Sequence, residues 1–436
     1  MNYPYPINFS LNPTVRIFPE ENGSGFLISF RPYGSSREEI RPADDKDLTA
    51  LKIISEDISL EEAARAAGVS PSRVFQIMMD VRKRAIITGP RSEIIRDNSV
   101  YSDPDSVRRH LLSDDTFSLQ WHITNRCDLN CRHCYDRDTP DSLNMETAVK
   151  VLDNLEELCF EKKTRGHISF SGGNPYLSPH FFEIYKMAAD RGFSSSILGN
   201  PVSDKVIKKT INIAKPTFFQ VSLEGLSETN DYIRGEGFFN KVMDFLKVLR
   251  ENNISSAVML TLTEKNIDEV IPLARFLKGR TDHFTYNRLS LEGHGSSLSA
   301  ALKEKYREFA ADYVEYAEKN EHAGYKDNLL NIELEKRGRF FDGCTGSGCG
   351  AAWNFFALLP DSRVFACRKF TSPIGNIENK SLIDIYESEK AKAYRRGAFE
   401  CSGCRIRHIC GGCMAATAGE GMDFLVKKDP YCFIQP

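Results

Sequence analysis

Residues 117–134 read FSLQWHITNRCDLNCRHC. The first seven alternate between apolar and polar side chains, the pattern of a strand buried on one face. The strand ends in three cysteines spaced C-x3-C-x2-C: Cys127, Cys131 and Cys134. A closed structural zinc site takes four protein ligands. Three thiolates with no fourth beside them suit a metal centre that keeps one position open. A zinc knuckle completed by His133 or by a distant residue is the competing reading, although His133 is wedged between two of the ligands.

Outward from this strand the pattern repeats. HISFS, FSSSIL, TFFQVSL, SAVMLTL and HFTYNRLSL read as further strands, with helical periodicity near 144–160, 178–191, 202–214, 237–252 and 266–279. Six strands alternating with helices predict a parallel α/β sheet, curved or closed, because each crossover helix must cover a face. Functional residues in such sheets collect at the carboxyl ends of the strands, which is where the cysteine triplet falls.

The chain has 436 residues, enough for several domains. A net charge of −3 argues for neither nucleic acid nor an anionic membrane as a general partner. No apolar run is long enough to span a bilayer. The opening MNYPYPINFS lacks the features of a secretory signal, so the expectation is a cytoplasmic protein. Eight of the twelve cysteines lie between Cys344 and Cys432. Without an export signal, metal or cluster ligation explains them better than disulfides.

The first ninety residues divide in two. TVRIFPE and GFLISFRPYG read as strands around an ENGSG turn, followed by three helical stretches. Ser59 with Glu62 forms a capping box, and Ser70–Pro71 opens the next helix. Helix, turn and helix suggest a winged-helix layout. Residues 71–96 hold six Lys or Arg against two acids, whereas residues 38–66 hold nine acids against four basic residues. The second count disfavours a uniform phosphate-binding surface. The expected domains are 1–90, a polar linker at 91–115, the α/β unit at 116–297, a helical connector at 298–338 and a cysteine-rich region at 339–436.

A first strand ending in C-x3-C-x2-C, with SGGNP after the second strand, resembles the radical S-adenosylmethionine (SAM) superfamily. The resemblance implies a partial (β/α)6 TIM-type barrel. It makes Cys127, Cys131 and Cys134 ligands of a [4Fe–4S] cluster whose open iron binds SAM. Tyr135 follows the last ligand, as an aromatic often does in that family. Gly172, Gly173, Asn174 and Pro175 would lie against SAM, with Asn174 where the family more often has Glu. Asn200, Ser222, Glu224 and Arg234 are further candidate contacts to SAM; for each, an ordinary cap, turn or ion pair is the alternative. The residue that completes catalysis is not identifiable from sequence.

The spacing of the last eight cysteines resembles the SPASM extension of radical SAM enzymes. By that resemblance Cys344, Cys349, Cys367 and Cys413 hold one auxiliary [4Fe–4S] cluster, and Cys401, Cys404, Cys410 and Cys432 hold another. Two four-cysteine zinc sites are the alternative. Ser362 stands where the family usually has Gly, and the CGGC gap is one residue shorter than in many members. Cys159 is left over as a buried core thiol. The N-terminal layout resembles the PqqD-like recognition element fused to many SPASM maturases, where a leader peptide adds a strand to the sheet edge. The expected function is therefore maturation of a ribosomally made precursor peptide, giving a thioether, a carbon–carbon crosslink or another oxidised side chain. Flavodoxin or ferredoxin would be the electron donor, and neither nucleic acid nor membrane a partner. The cysteine and SGGNP stretches look most like selenobiotic or thio(seleno)oxazole maturases. An iron–sulfur DNA-binding regulator and a sulfatase-maturase-like enzyme are the alternatives.

Overall fold

The computed structural model describes residues 8–20, 25–32, 37–97, 112–135, 143–346 and 348–434. Most of the ENGSG turn and the middle of the 91–115 segment, YSDPDS included, lie outside them. The described chain begins with β1 (Ser10–Leu11), β2 (Arg16–Pro19), β3 (Phe26–Phe30) and β4 (Glu39–Pro42), then α1 (Asp45–Glu56), α2 (Leu60–Ala67), α3 (Pro71–Lys83) and β5 (Ile87–Thr88). β2, β3 and β4 form a three-stranded antiparallel sheet with β3 in the centre, and β1 pairs with β5. The capping box closes on Ser59 and Glu62, and Ser70 caps α3 with Pro71 in its first turn. β4 reads EIRP and carries no clear alternation, which hid it from the sequence reading.

α3 is buried along most of its length and docks on the α/β unit. The Gln76 side-chain oxygen accepts from Gly166 N at 2.8 Å, Arg165 pairs with Asp80, and Arg82 pairs with Asp115. Burial alone would raise the Asp80 carboxyl, but Arg165, Lys46 and Arg84 hold it down at about 2. Most of this helix is therefore spent on packing and is not free to enter a DNA groove.

The second unit runs β6 (Thr116–His122), α4 (Met145–Glu161), β7 (Arg165–Ser171), α5 (Phe181–Asp190), β8 (Ser194–Leu198), α6 (Asp204–Ile213), β9 (Phe219–Ser222), α7 (Ser227–Arg234), α8 (Phe238–Glu251), β10 (Ser256–Leu262), α9 (Val270–Leu277) and β11 (His283–Arg288). β6 to β11 are parallel and sequential, a TIM-like α/β arrangement. Side chains alternate as the pleat requires. Phe117, Leu119, Trp121, Ile168 and Phe170 are completely buried on the helix-covered face, each contributing about 1.5–3 kcal/mol. The other face is polar and half-open: Ser118, Gln120, His167 and Ser169 are all partly exposed. His167 hydrogen-bonds Ser194 and Ser196 at 2.9 and 3.0 Å, and Ser169 reaches Ser196 at 2.9 Å.

α10 (Lys303–Glu318) and α11 (Leu330–Lys336) form the connector; then come β12 (Phe355–Leu358), β13 (Arg363–Phe365), β14 (Pro373–Asn376), α12 (Leu382–Glu387), α13 (Glu389–Arg396) and α14 (Met414–Gly419). The sheet does not stop at six strands. β12 pairs in parallel with β6, and β13 and β14 extend it antiparallel, giving nine strands in the order β11-β10-β9-β8-β7-β6-β12-β13-β14. The cysteine-rich region is thus built onto the free edge of β6. Ser362, in the β12–β13 turn, has φ 69°. That left-handed conformation explains why glycine is the easier residue there.

Candidate active site

The cysteine triplet lies in the loop that leaves β6. Cys131 is buried, Cys134 half-buried and Cys127 exposed. Its backbone rests on the glycines that follow β7. Gly173 N donates to Thr124 O at 3.0 Å, and Asn174 N to Arg126 O at 2.8 Å. A Cβ on Gly172 would come within 2.1 Å of Thr124 O, and one on Gly173 within 2.3 Å of Arg126 O. Gly172 has φ 138°. Both glycines are therefore required for the two loops to touch, a reason independent of any ligand.

Asn174 and Asn200, each from the end of a different strand, meet on Asp128. Their side-chain amides donate to its carboxylate at 3.2 and 2.6 Å, and Asn200 also lies 3.6 Å from the Cys127 sulfur. Asn174 is buried and its side-chain oxygen has no hydrogen-bond partner. Pro175 opens a short 3-10 turn. Ser222 is half-buried at the end of β9. Tyr135 stacks under the Arg368 guanidinium at 4.9 Å. Asp128 was not singled out from sequence, although its place between two ligand cysteines was the available signal.

Glu224 is fully buried. It accepts from Arg234 at 2.9 and 2.5 Å, from His133 at 3.0 Å and from Thr261 N at 2.6 Å. Burial would raise its carboxyl, but His133 and Arg234 win and hold it at about 2. Arg234 in turn brings an N–H to 3.8 Å from the Cys131 sulfur. Burial pushes the Cys131 thiol up while Arg234 pulls it back. Glu224 thus holds Arg234 on the Cys131 sulfur and fixes the His133 ring from the same side.

The remaining eight thiols gather in two groups. Cys349 feels Cys367, Cys344 and Cys413; Cys401 and Cys410 both feel Cys404 and Cys432. Burial pushes Cys349 to about 12 and Cys367 and Cys401 to about 11. Cys159 is fully buried in the main core. Asp429 organises the ligand loops. It accepts from Cys413 N at 2.8 Å and from Arg288, at the end of β11, at 2.9 and 2.5 Å. Arg288 also pairs with Asp327 at 2.5 Å. Arg368, next to Cys367, is buried and reaches His122 at 3.4 Å, linking this region to β6. Asp429 and Arg288 lie 141 residues apart, so no local pattern announced their pairing.

Among the described residues no three or more His, Cys, Asp or Glu side chains converge closely enough for a single metal ion.

Residues 121–277 match the Radical SAM superfamily, and residues 349–413 match the SPASM iron–sulfur cluster-binding domain. The first match lies on the β6–α9 part of the α/β unit and the second on the cysteine-rich region. Its relatives include the AdoMet-dependent heme synthase of Methanosarcina barkeri, 23% identical over 73% of this chain and 96% of that protein. The subtilosin biosynthesis protein AlbA of Bacillus subtilis is 25% identical over 73% of each chain. Among solved structures, Streptococcus suis SuiB bound to the precursor peptide SuiA shares the fold over 98% of this chain and all of its own, with a TM-score of 0.58 at 15% identity. No helix among the described residues is long and apolar enough to cross a membrane.

The radical SAM domain fits SAM and a [4Fe–4S] cluster on its own chemistry. Three thiols stand at the carboxyl end of β6 with N–H donors from Arg234 and Asn200 on two of the sulfurs. The unsatisfied Asn174 oxygen is an acceptor for an amino group. In the region that matches the SPASM domain, two groups of four thiols are of the donor type that auxiliary iron–sulfur clusters use.

Proposed function

We propose that this protein is a cytoplasmic radical SAM maturase that modifies a ribosomally made precursor peptide, with three [4Fe–4S] clusters. Cys127, Cys131 and Cys134 would hold the cluster that binds SAM, and the bound SAM would supply the radical chemistry that removes a hydrogen atom from the peptide. The chain's own residues prepare that event. Gly172 and Gly173 hold the cysteine loop against the end of β7. The Asn174 oxygen would receive the amino group of SAM, Ser222 offers a hydroxyl at the end of β9, two strands along, and Arg234 is held on Cys131 by Glu224. The polar face of the sheet accepts an extended peptide, whose amides need partners once water is displaced. Flavodoxin or ferredoxin provides the reducing electron.

The observation that carries the peptide reading is the N-terminal sheet. Among the described strands, β2 and β4 are both edges, and almost all their residues are exposed. An edge strand with free amides and carbonyls can take up an extended leader. Supporting this, the fold shared with SuiB extends over 98% of this chain and so includes this domain. The thioether, crosslink or related oxidation, and the selenobiotic-type subfamily, belong to the same proposal.

The test uses a candidate precursor peptide, deuterated at its side chains, with and without its leader. The reading predicts deuterium in 5′-deoxyadenosine and a mass change in the full-length peptide, with turnover at least about tenfold lower without the leader, a loss of about 1.4 kcal/mol in binding. Equal turnover with and without the leader would remove the role assigned to the N-terminal sheet.

A further inference from the structure

The face of β6 to β11 turned away from the helices is made mostly of uncharged hydrogen-bonding groups. The parallel register carries them from strand to strand: Gln120 stands beside Ser169, Ser169 beside Ser196, and Met259 beside Thr285. Among the described residues of these six strands, the one charged side chain on this face is Arg165, at the amino-terminal end of β7, and it is paired with Asp80. Glu224, two residues beyond β9, is fully buried and committed to Arg234 and His133. His167 is neutral as well. Ser194 donates to Gly166 O at 3.3 Å, so it accepts from His167 Nδ1–H at 2.9 Å, which leaves Nε2 to accept from Ser196 at 3.0 Å. Burial, with Arg165 and Lys83 beside the ring, holds its pKa down at about 4. The ring therefore carries no charge at neutral pH.

Several of these groups have bonding capacity left over. Thr285 Oγ1 is buried without a partner. Asn287 donates to the Met259 sulfur at 3.4 Å, a weak acceptor. Gln220 is half-buried between Leu198 and Ala257, whose side chains offer it no bond, so its amide is left for a ligand. A charged side chain laid along this face would lose water and meet no counter-charge, which costs heavily. An apolar one would leave hydroxyls and amides unpaired, a smaller loss. Backbone amides and neutral polar side chains, which both donate and accept, satisfy it. We infer that this face selects the charge of the substrate: the peptide segment that lies along it is uncharged and hydrogen-bonding, built of residues such as Gly, Ser, Asn and Gln, and free of Lys, Arg, Asp and Glu. Gln220 is a specificity-determining residue for that segment. The inference rests on the reading of the protein as a peptide-modifying radical SAM enzyme and adds the chemical class of the substrate to it.

The experiment gives the anaerobically reconstituted full-length protein SAM, dithionite and one of four probes. These are the N-acetyl amides of glutamine, glutamate, norleucine and lysine, deuterated on Cα and the side chain. Glutamine and glutamate match in shape and differ in charge, and so do norleucine and lysine. Deuterium transferred to 5′-deoxyadenosine reports which probe reached the reacting carbon. Dithionite supplies one electron for each SAM cleaved; the probe radical left by the transfer takes a second electron from dithionite and a proton from water. The glutamine probe should transfer at least about tenfold more deuterium than the glutamate probe, and norleucine at least about tenfold more than lysine. Gln220→Glu should raise transfer from the lysine probe at least about tenfold and leave glutamate unchanged; Gln220→Lys should do the reverse. Iron content and SAM cleavage without a probe show that each variant is folded and loaded, and the wild-type comparison stands by itself if a variant is not. Equal transfer within either pair would overturn the inference. So would loaded charge variants that leave both pairs unmoved, or deuterium from no probe while SAM is cleaved. Wild type that forms no 5′-deoxyadenosine in the absence of a probe would instead overturn the radical SAM reading, and this inference with it.

Discussion

Glu224→Ala should destabilise the chain by about 3–5 kcal/mol, because it strips a buried ionic cluster of its only acid. Three donors lose their acceptor together: the Arg234 guanidinium, the His133 ring and Thr261 N–H. Arg234 would then stay buried beside Cys131 without a counter-charge. SAM cleavage should fall below detection even at temperatures where the variant remains folded, since the Cys131 sulfur loses a fixed N–H donor. Denaturant unfolding of wild type and variant measures the first effect; a loss under about 1 kcal/mol would mean the cluster contributes little. The pH dependence follows from the depressed carboxyl. Its folded value, about 2, lies below the unfolded 4.5. The contribution of Glu224 is therefore fully present above about pH 4.5 and lost as pH falls toward about 2. The gap between wild type and Glu224→Gln should shrink as the pH falls from about 4.5 toward about 2.

Asp429→Ala should produce a loss of similar size, about 3–5 kcal/mol, at the junction of the barrel and the cysteine-rich region. Arg288 is 5% exposed and divides its donors between Asp327 and Asp429. Without Asp429 half of those donors are orphaned, and so are the backbone N–H groups of Cys413 and Tyr431. The second effect separates this from an ordinary core defect. Because Cys413 and Cys432 belong to different thiol groups, both should hold metal less firmly. Iron retained after chelator challenge should drop, while the metal on Cys127, Cys131 and Cys134 stays. Combined with Arg288→Met the losses should not add, with a coupling of about 0.5–3 kcal/mol. Strict additivity would show that the pair does not act as a unit.

Much of this architecture was legible because the chain obeys simple periodicities. FSLQWHI is half-buried in alternation, and all six strands and the five helices between them fall within a few residues of their predicted places. What escaped had physical reasons. α7 lies in a polar stretch, SETNDYIR, whose stability comes from packing Ile233 and from its place after β9. β12 is four residues long and acquires its meaning only by pairing with β6, more than 230 positions earlier. The cysteines were visible because their chemistry is written in their spacing. Asp128, Arg288, Arg368 and Asp429 were not, because a carboxylate or guanidinium takes its role from partners that only the fold supplies. Glu224 shows the difference. It was read from sequence as a contact to SAM, and its carboxylate is committed inside the protein to Arg234, His133 and Thr261.

Radical SAM chemistry is assigned to Cys127, Cys131 and Cys134. It is tested most directly by 5′-deoxyadenosine formation from SAM under a strong reductant, alongside iron and zinc content. The anaerobically reconstituted wild type is compared with the triple alanine variant. Wild type should hold about twelve irons and cleave SAM; the variant should hold about eight and release no 5′-deoxyadenosine. SAM cleavage that survives the three substitutions, or a wild-type protein that binds zinc and no iron, would contradict the account.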